Sequence, residues 1–309
     1  MSSTLTEIPA QTPEARSKAD AALVLVALIW GATFVVVKRA LLEISTMYFL
    51  AVRFAFASVC VVLIFSPRYA GMRVASAWRG LGCGAIAGVF LWLGYVLQSY
   101  GLKYTSAGNS GFLTGLYIVL VPLISACVYR KWPQSIELLG IVIAGVGIVF
   151  LTLPTLDRNF QINRGDLLTI GCAIVFAFHL LVLGYYSQRE RFEVVALGQI
   201  VCAAILSAIS LIVERPRAIW SASVIFAIVL TGLFATALAF ALQTWAQQYT
   251  TATRTALIFA LEPVFAYVTA VIAGGERLTP GAVCGGALIL VGILTVELKP
   301  ARLAGHRKS

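Results

Sequence analysis

Glu262, followed at once by Pro263, stands near the middle of an apolar stretch running from about residue 251 to 273. A helix over that stretch carries the carboxyl group roughly 16 Å from either end. An ionisable group at that depth in hydrocarbon is costly unless it is partnered or faces water, so such residues tend to line a pathway or a binding site. Pro263 removes a backbone donor, leaves the carbonyl of Phe259 without its helical partner, and should kink or break the helix beside the acid. A broken helix at mid-membrane exposes polar backbone to a ligand. Glu262 is thus a candidate solute contact or proton carrier, with a structural partnership to Arg or Tyr as the alternative.

Other residues could share that chemistry. Arg53 lies about 10 Å into the second apolar stretch, where it either pairs with an anion or Glu262, or snorkels to the surface. His179 is the one histidine within an apolar stretch and could relay a proton, or simply pack with a hydrogen bond. No second His, Cys or nearby acid completes a metal site around it, and no cofactor is expected. Gln98 and Gln243 can line a cavity or bond helix to helix, and Asn109 and Thr114 are uncharged polar groups in an apolar run. Trp30, Phe34, Trp92, Tyr95 and Tyr117 could hold an apolar or cationic solute, while Trp245 reads as an interfacial residue.

These residues need helices to place them. Of 309 residues, 60% are apolar and 12% charged, far from the quarter charged that is usual in soluble domains. Runs long enough to cross about 30 Å of hydrocarbon give ten spans: 21–41, 46–66, 79–101, 105–129, 134–153, 165–187, 192–213, 221–246, 251–273 and 279–298. The expected class is an all-α polytopic membrane protein. Residues 1–20 form a polar tail without a signal-peptide pattern, and 299–309 form a basic tail. The longest links, Pro67 to Ala77 and Pro154 to Arg164, are too short to fold alone. The net charge of +10 comes from basic residues scattered between spans, which fits membrane topology and not nucleic acid. All six cysteines fall in spans without ligand spacing and read as small packing residues.

The chain also repeats itself. A shift of 145 aligns 97–151 with 242–296, so that Gln98, Tyr104 and Thr105 meet Gln243, Tyr249 and Thr250. A shift of 146 aligns Asp20 with Asp166, Thr33 with His179, and Arg53 with Gln199. Five spans written twice, 21–153 and 165–298, make the second copy enter from the opposite side, an inverted repeat. Lys131 replaced by Glu276 agrees with loops facing opposite compartments. Positive residues favour both termini in the cytoplasm. Small residues at four-residue spacing (Gly80, Gly84, Gly88; Gly111, Gly115; Gly281, Gly285) suit close helix packing within the subunit, and a homodimer is the second option.

The strings "ALIWGATFVVVKRAL", "YFLAVRFAFA", "YGLKYTSAGNSGFLTGLYIVLVP" and "WAQQYTTATRTALIFALEPVFAYVTAVIAGGERLTP" resemble the drug/metabolite transporter superfamily, in particular EamA-type transporters with two EamA domains, over roughly residues 20–298. The resemblance implies a multi-pass permease of the bacterial inner membrane that exports or exchanges a small metabolite, amino acid or drug-like solute by alternating access. The first copy departs from the pattern: Tyr117 and Ile118 stand where the second has Glu262 and Pro263, and a proline comes only at Pro122, a second candidate break. Protons are a candidate coupling ion. A membrane-embedded lipid-modifying enzyme and a membrane sensor remain the competing classes. The first would want clustered polar groups, and the second an extramembrane domain.

Overall fold

A computed structural model describes residues 12–105, 107–130, 132–152, 163–274 and 278–297. Lys131 and Glu276, the charge reversal between the copies, lie outside the described residues, as do 1–11 and the tail 299–309. Among the described residues the helices fall into ten rods. These are α1 (Pro13–Ala40), α2 (Thr46–Tyr69), α3 (Val74–Tyr104), α4 (Ala107–Gly115 with Tyr117–Tyr129), α5 (Ser135–Thr152), α6 (Arg164–Ser187), α7 (Phe192–Ser210), α8 (Ala222–Ala246), α9 (Ala252–Ile258 with Leu261–Gly274) and α10 (Pro280–Glu297). Six of them, α1 to α3 and α6 to α8, are each long and apolar enough to cross a membrane, and shorter apolar helices lie within α4, α5 and α10. The only bridge of β type among these residues is isolated, between Ile44 and Ala218.

Helix ends follow local chemistry more than hydropathy. α1 begins at Pro13, inside the expected polar tail, because Thr12 caps it through a bond from the Ala15 amide and proline suits the first helical turn. α2 runs on past Pro67 to Tyr69 and α3 starts at Val74, so the link expected from Pro67 to Ala77 is shorter than it looked. α6 opens with a capping box in which Asn163 and Asp166 each accept the other's amide hydrogen.

Polar contacts define two faces. Asp20, two turns into α1, meets Arg254 at the start of α9, and Arg79 in the second turn of α3 meets Glu190 after α6. The face carrying these contacts is called near. At the opposite, far face the α1–α2 link meets the α7–α8 link through Ser45 N–H to Arg217 C=O (2.8 Å) and Met47 N–H to Glu214 (2.6 Å). There also Thr105 at the end of α3 donates to Asp166 at the start of α6 (2.6 Å). α1 therefore enters at the near face and α6 at the far face.

The stripe of Gly80, Gly84 and Gly88 and the Gly285 carbonyl are used in close packing within the chain, whereas a Cβ on Gly111 would meet nothing within 4 Å and one on Gly115 only the Ile148 side chain at ordinary contact distance. A Cβ on Gly140 of α5 would lie 2.6 Å from the Gly292 carbonyl oxygen of α10, and one on Gly292 would lie 2.6 Å from that of Gly140. Gly80, Gly84 and Gly88 of α3 likewise meet α7, with the Cβ of Gly88 falling 2.6 Å from the Gln199 carbonyl. Backbones this close gain dispersion contacts that larger residues would forbid, and lipid supplies no other drive for association. Cysteine packing holds only in part: Cys172 is buried, but Cys127 and Cys284 are exposed on the outer surface of the bundle.

Two apolar clusters form the interior. One gathers α1, α4, α5, α6 and α8 to α10, and the other gathers α1 to α3, α7 and α8. Trp30 and Phe176 pack against both. The cavity lies at this seam.

Candidate functional site

At the seam lies a cavity whose polar walls include Glu262, Tyr117, Arg53, Gln98, His179 and Gln243. The split of α9 places the carboxyl group. Its first segment ends at Ile258 and the second begins at Leu261. The break occurs where Pro263 forbids a regular turn. The Phe259 carbonyl is not left bare, however: it accepts the Glu262 amide at 2.9 Å in a tighter turn. Gly31 of α1 fits against this bend, since a Cβ there would lie 2.6 Å from the Glu262 carbonyl oxygen. Glu262 is 9% exposed, and its Oε2 accepts from the Tyr117 hydroxyl at 3.3 Å. Tyr117 and Glu262 occupy equivalent positions of the two repeats, so the copies meet side chain to side chain.

The matching interruption in α4 is at Leu116, between Gly115 and Tyr117. Pro122, expected as the break, lies inside the second segment. A proline clashes with the carbonyl four residues earlier, which here is Ile118 and not Leu116, so Pro122 does not account for the break by itself.

Arg53 is 3% exposed and does not snorkel. Its Nε donates to Thr236 Oγ1 (2.7 Å), its Nη2 donates to the Tyr95 hydroxyl (3.2 Å) and the Ala235 carbonyl (3.3 Å), and the guanidinium lies 4.7 Å from the Tyr95 ring centroid. A direct pair with Glu262 is not formed; the two charges face one cavity separately. What makes the Ala235 carbonyl available is a π-helical turn, Leu233–Leu238, inside α8. Such turns displace backbone groups from the regular ladder and often occur at functional sites. Trp30 uses the same carbonyl, donating from its indole at 2.9 Å, and its ring sits 5.3 Å from Phe240 and 5.0 Å from Phe259.

His179 lines the cavity and bonds Gln199 at 2.9 Å. Gln98 and Gln243, equivalent in the repeats, both line it, and Gln243 donates to Gln247 at 3.4 Å while its Oε1 is buried with no partner. Phe34 and Thr114 are also on the wall. Trp92 is not: it packs against the second apolar cluster with its indole N–H buried and unpaired. Asn109 belongs to α4, but its side chain is outside the described part. Trp245 packs on Tyr249, with ring centroids 5.4 Å apart.

The cavity is not symmetric. It reaches Val37 of α1 and Leu102 of α3, both close to the far face, whereas their repeat equivalents Leu183 and Gln247 are fully buried and off its wall. At the near face Gln247 bonds the Leu180 carbonyl (3.1 Å), Gln248 bonds that of Ser187 (3.0 Å), and Arg254 clasps Asp20 with two bonds of 3.1 and 2.7 Å.

Three of these features had weak sequence signals. The π turn had none. Gln199 was visible only as the partner of Arg53 in the repeat. Asp20 and Arg254 are single charges in the early turns of their helices, each unremarkable alone.

Comparisons agree with this architecture. The model of the EamA-like transporter family matches twice, over residues 17–153 and 163–298. A protein of Archaeoglobus fulgidus, named an uncharacterized transporter, is 36% identical over 284 residues, covering 92% of this chain and 87% of its own. The uncharacterized transporter YoaV of Bacillus subtilis is 22% identical over 278 residues, 88% of this chain and 94% of its own. A crystal structure with 20% identity superposes at a TM-score of 0.75 over 95% of this chain and 100% of that one, which shows the shared fold. With both halves matched and a relative this similar over most of its length, the chain belongs to the EamA-like transporter family.

Proposed function

We propose that the protein carries a small metabolite, amino acid or drug-like solute across the plasma membrane by alternating access, in the direction of export. The observation behind this reading is the asymmetric cavity at the seam of the repeats, which reaches Val37 and Leu102 near the far face but not their equivalents Leu183 and Gln247 near the other. In an inverted repeat, exchanging the conformations of the two halves turns one such state into its mirror, with Leu183 and Gln247 lining the opening. Helix entry at opposite faces supports the inversion.

Within the cavity Glu262 supplies negative charge, Arg53 a held positive charge, and Trp30, Phe240 and Phe259 apolar surface. Glu262 is the element we assign to solute contact or proton exchange, because Tyr117 gives it only one bond at 3.3 Å. Family membership sets aside the membrane-enzyme reading.

Reconstituted liposomes test the proposal. They would be preloaded in turn with unlabelled amino acids, small organic cations and acids, then given traces of the labelled compound. Counterflow in wild type, lost with Glu262→Gln at equal insertion, is the expected result. No counterflow for any class would overturn the transport reading, and equal counterflow in the variant would overturn the assignment of Glu262.

A further inference from the structure

A chain of hydrogen bonds behind the cavity wall fixes one side chain more tightly than its polarity suggests. Thr244 has one hydroxyl hydrogen, and it is given to the Phe240 carbonyl at 2.6 Å. The hydroxyl oxygen must then accept, and it does so from Gln199 Nε2 at 3.0 Å. That orients the Gln199 amide: its nitrogen faces Thr244, so its oxygen faces His179. His179 Nε2 lies 2.9 Å from that oxygen, which can only accept. Nε2 therefore carries the hydrogen.

In the neutral imidazole the other nitrogen, Nδ1, is left as an acceptor, and it makes no hydrogen bond among the described residues. The ring is held between Phe176 and Phe240, whose centroids lie 6.5 and 5.9 Å away, and it belongs to the cavity wall. Gln199 and Thr244 are fully buried. Neither reaches the cavity, and both act through the histidine. The equivalent positions in the first repeat do something else, since Arg53 replaces Gln199 and Thr33 replaces His179, with the Thr33 hydroxyl given to the Trp30 carbonyl at 2.9 Å.

We propose that Gln199, oriented by Thr244, is a positioning residue that locks His179 with its hydrogen on Nε2, so that Nδ1 selects solutes presenting an N–H or O–H donor. The proposal rests on the cavity being the solute site, but the state of the ring can be read without any transport assay. A solute lacking a donor would leave Nδ1 desolvated and unpaired, a penalty felt as lost affinity.

The chain has two histidines, His179 and His306. In a His306→Gln background, nitrogen NMR of histidine-labelled protein in lipid nanodiscs reports His179 alone. The expected spectrum has a protonated Nε2 and an unprotonated Nδ1. Gln199→Leu should redistribute the hydrogen between the two nitrogens. Hydrogen on Nδ1 in the otherwise native protein, or an unchanged spectrum in Gln199→Leu, would overturn the lock.

Titration with benzylamine and with its N,N,N-trimethyl analogue then tests selection, because both are aromatic cations and only the first has N–H groups. A shift of the Nδ1 signal with benzylamine alone supports it. Equal responses, or none with either, overturn it. A protein that showed the lock yet carried no solute would refute the transport reading while leaving the tautomer assignment intact.

Discussion

At the scale of single residues, the site combines groups the sequence displays with groups it conceals. Glu262 and its proline were readable because a charge in an apolar run violates the cost of burial. The partner of the acid was readable only as a repeat position, and nothing in the sequence says that equivalent positions touch. Arg53 could be seen but not its bonds, because these depend on a π turn that spacing does not encode. Two outcomes follow. Tyr117→Phe removes the 3.3 Å bond to Glu262 and should lower counterflow by roughly two- to fivefold, the size of one modest hydrogen bond. Glu262→Gln should cost at least about tenfold, equivalent to about 1.4 kcal/mol in the rate-limiting barrier, with unchanged insertion measured by membrane fractionation. A Tyr117→Phe loss exceeding that of Glu262→Gln would mean that the hydroxyl, not the acid, is the primary contact.

At the scale of helices, hydropathy located all ten rods but misplaced their ends. Caps and breaks set those ends: Thr12 with Pro13 lengthened α1, and the Phe259–Ala260 turn divided α9. Pro122 marks a break in α4 by sequence, yet the interruption lies at Leu116, where no proline accounts for it. Packing was read in part: the stripe of Gly80, Gly84 and Gly88 marks a close helix contact, whereas the same spacing at Gly111 and Gly115 does not. The α5–α10 contact offers a direct check. Gly140→Leu forces a side chain against the Gly292 carbonyl, and overpacking of this kind costs about 1–3 kcal/mol. A fall in thermal stability in detergent, without loss of solute affinity in the surviving fraction, is the expected result. Unchanged stability would mean the two helices are not so closely joined.

At the scale of the whole protein, the two faces are latched differently. The near face carries the ion pair of Asp20 and Arg254, and at the far face Asp166, the repeat equivalent of Asp20, accepts from the neutral hydroxyl of Thr105. Removing one partner of a largely buried pair is destabilising by several kcal/mol in many proteins, roughly 3–5. Asp20→Asn should therefore weaken the closed near face and raise the population open there. In a background with the native cysteines replaced, thiol labelling of Leu183→Cys should increase by about tenfold or more for a shift above about 1.4 kcal/mol, while labelling of Val37→Cys falls. Parallel rises at both positions would indicate general loosening and not a change of state.

The seat of Gly31 carries a further implication. Because the α1 backbone lies against the carbonyl of Glu262 with no room for even a methyl group, any larger residue at position 31 must push the bend of α9 and swing its acid away. A mutational scan scored by growth would then flag this glycine as strongly as the acid itself, although it offers a solute nothing to bind. Genetic maps of such a permease will report the scaffold of the bend alongside its chemistry, and second-site changes that restore Gly31 variants should cluster at Phe265 and Ala266, the neighbours that share its seat.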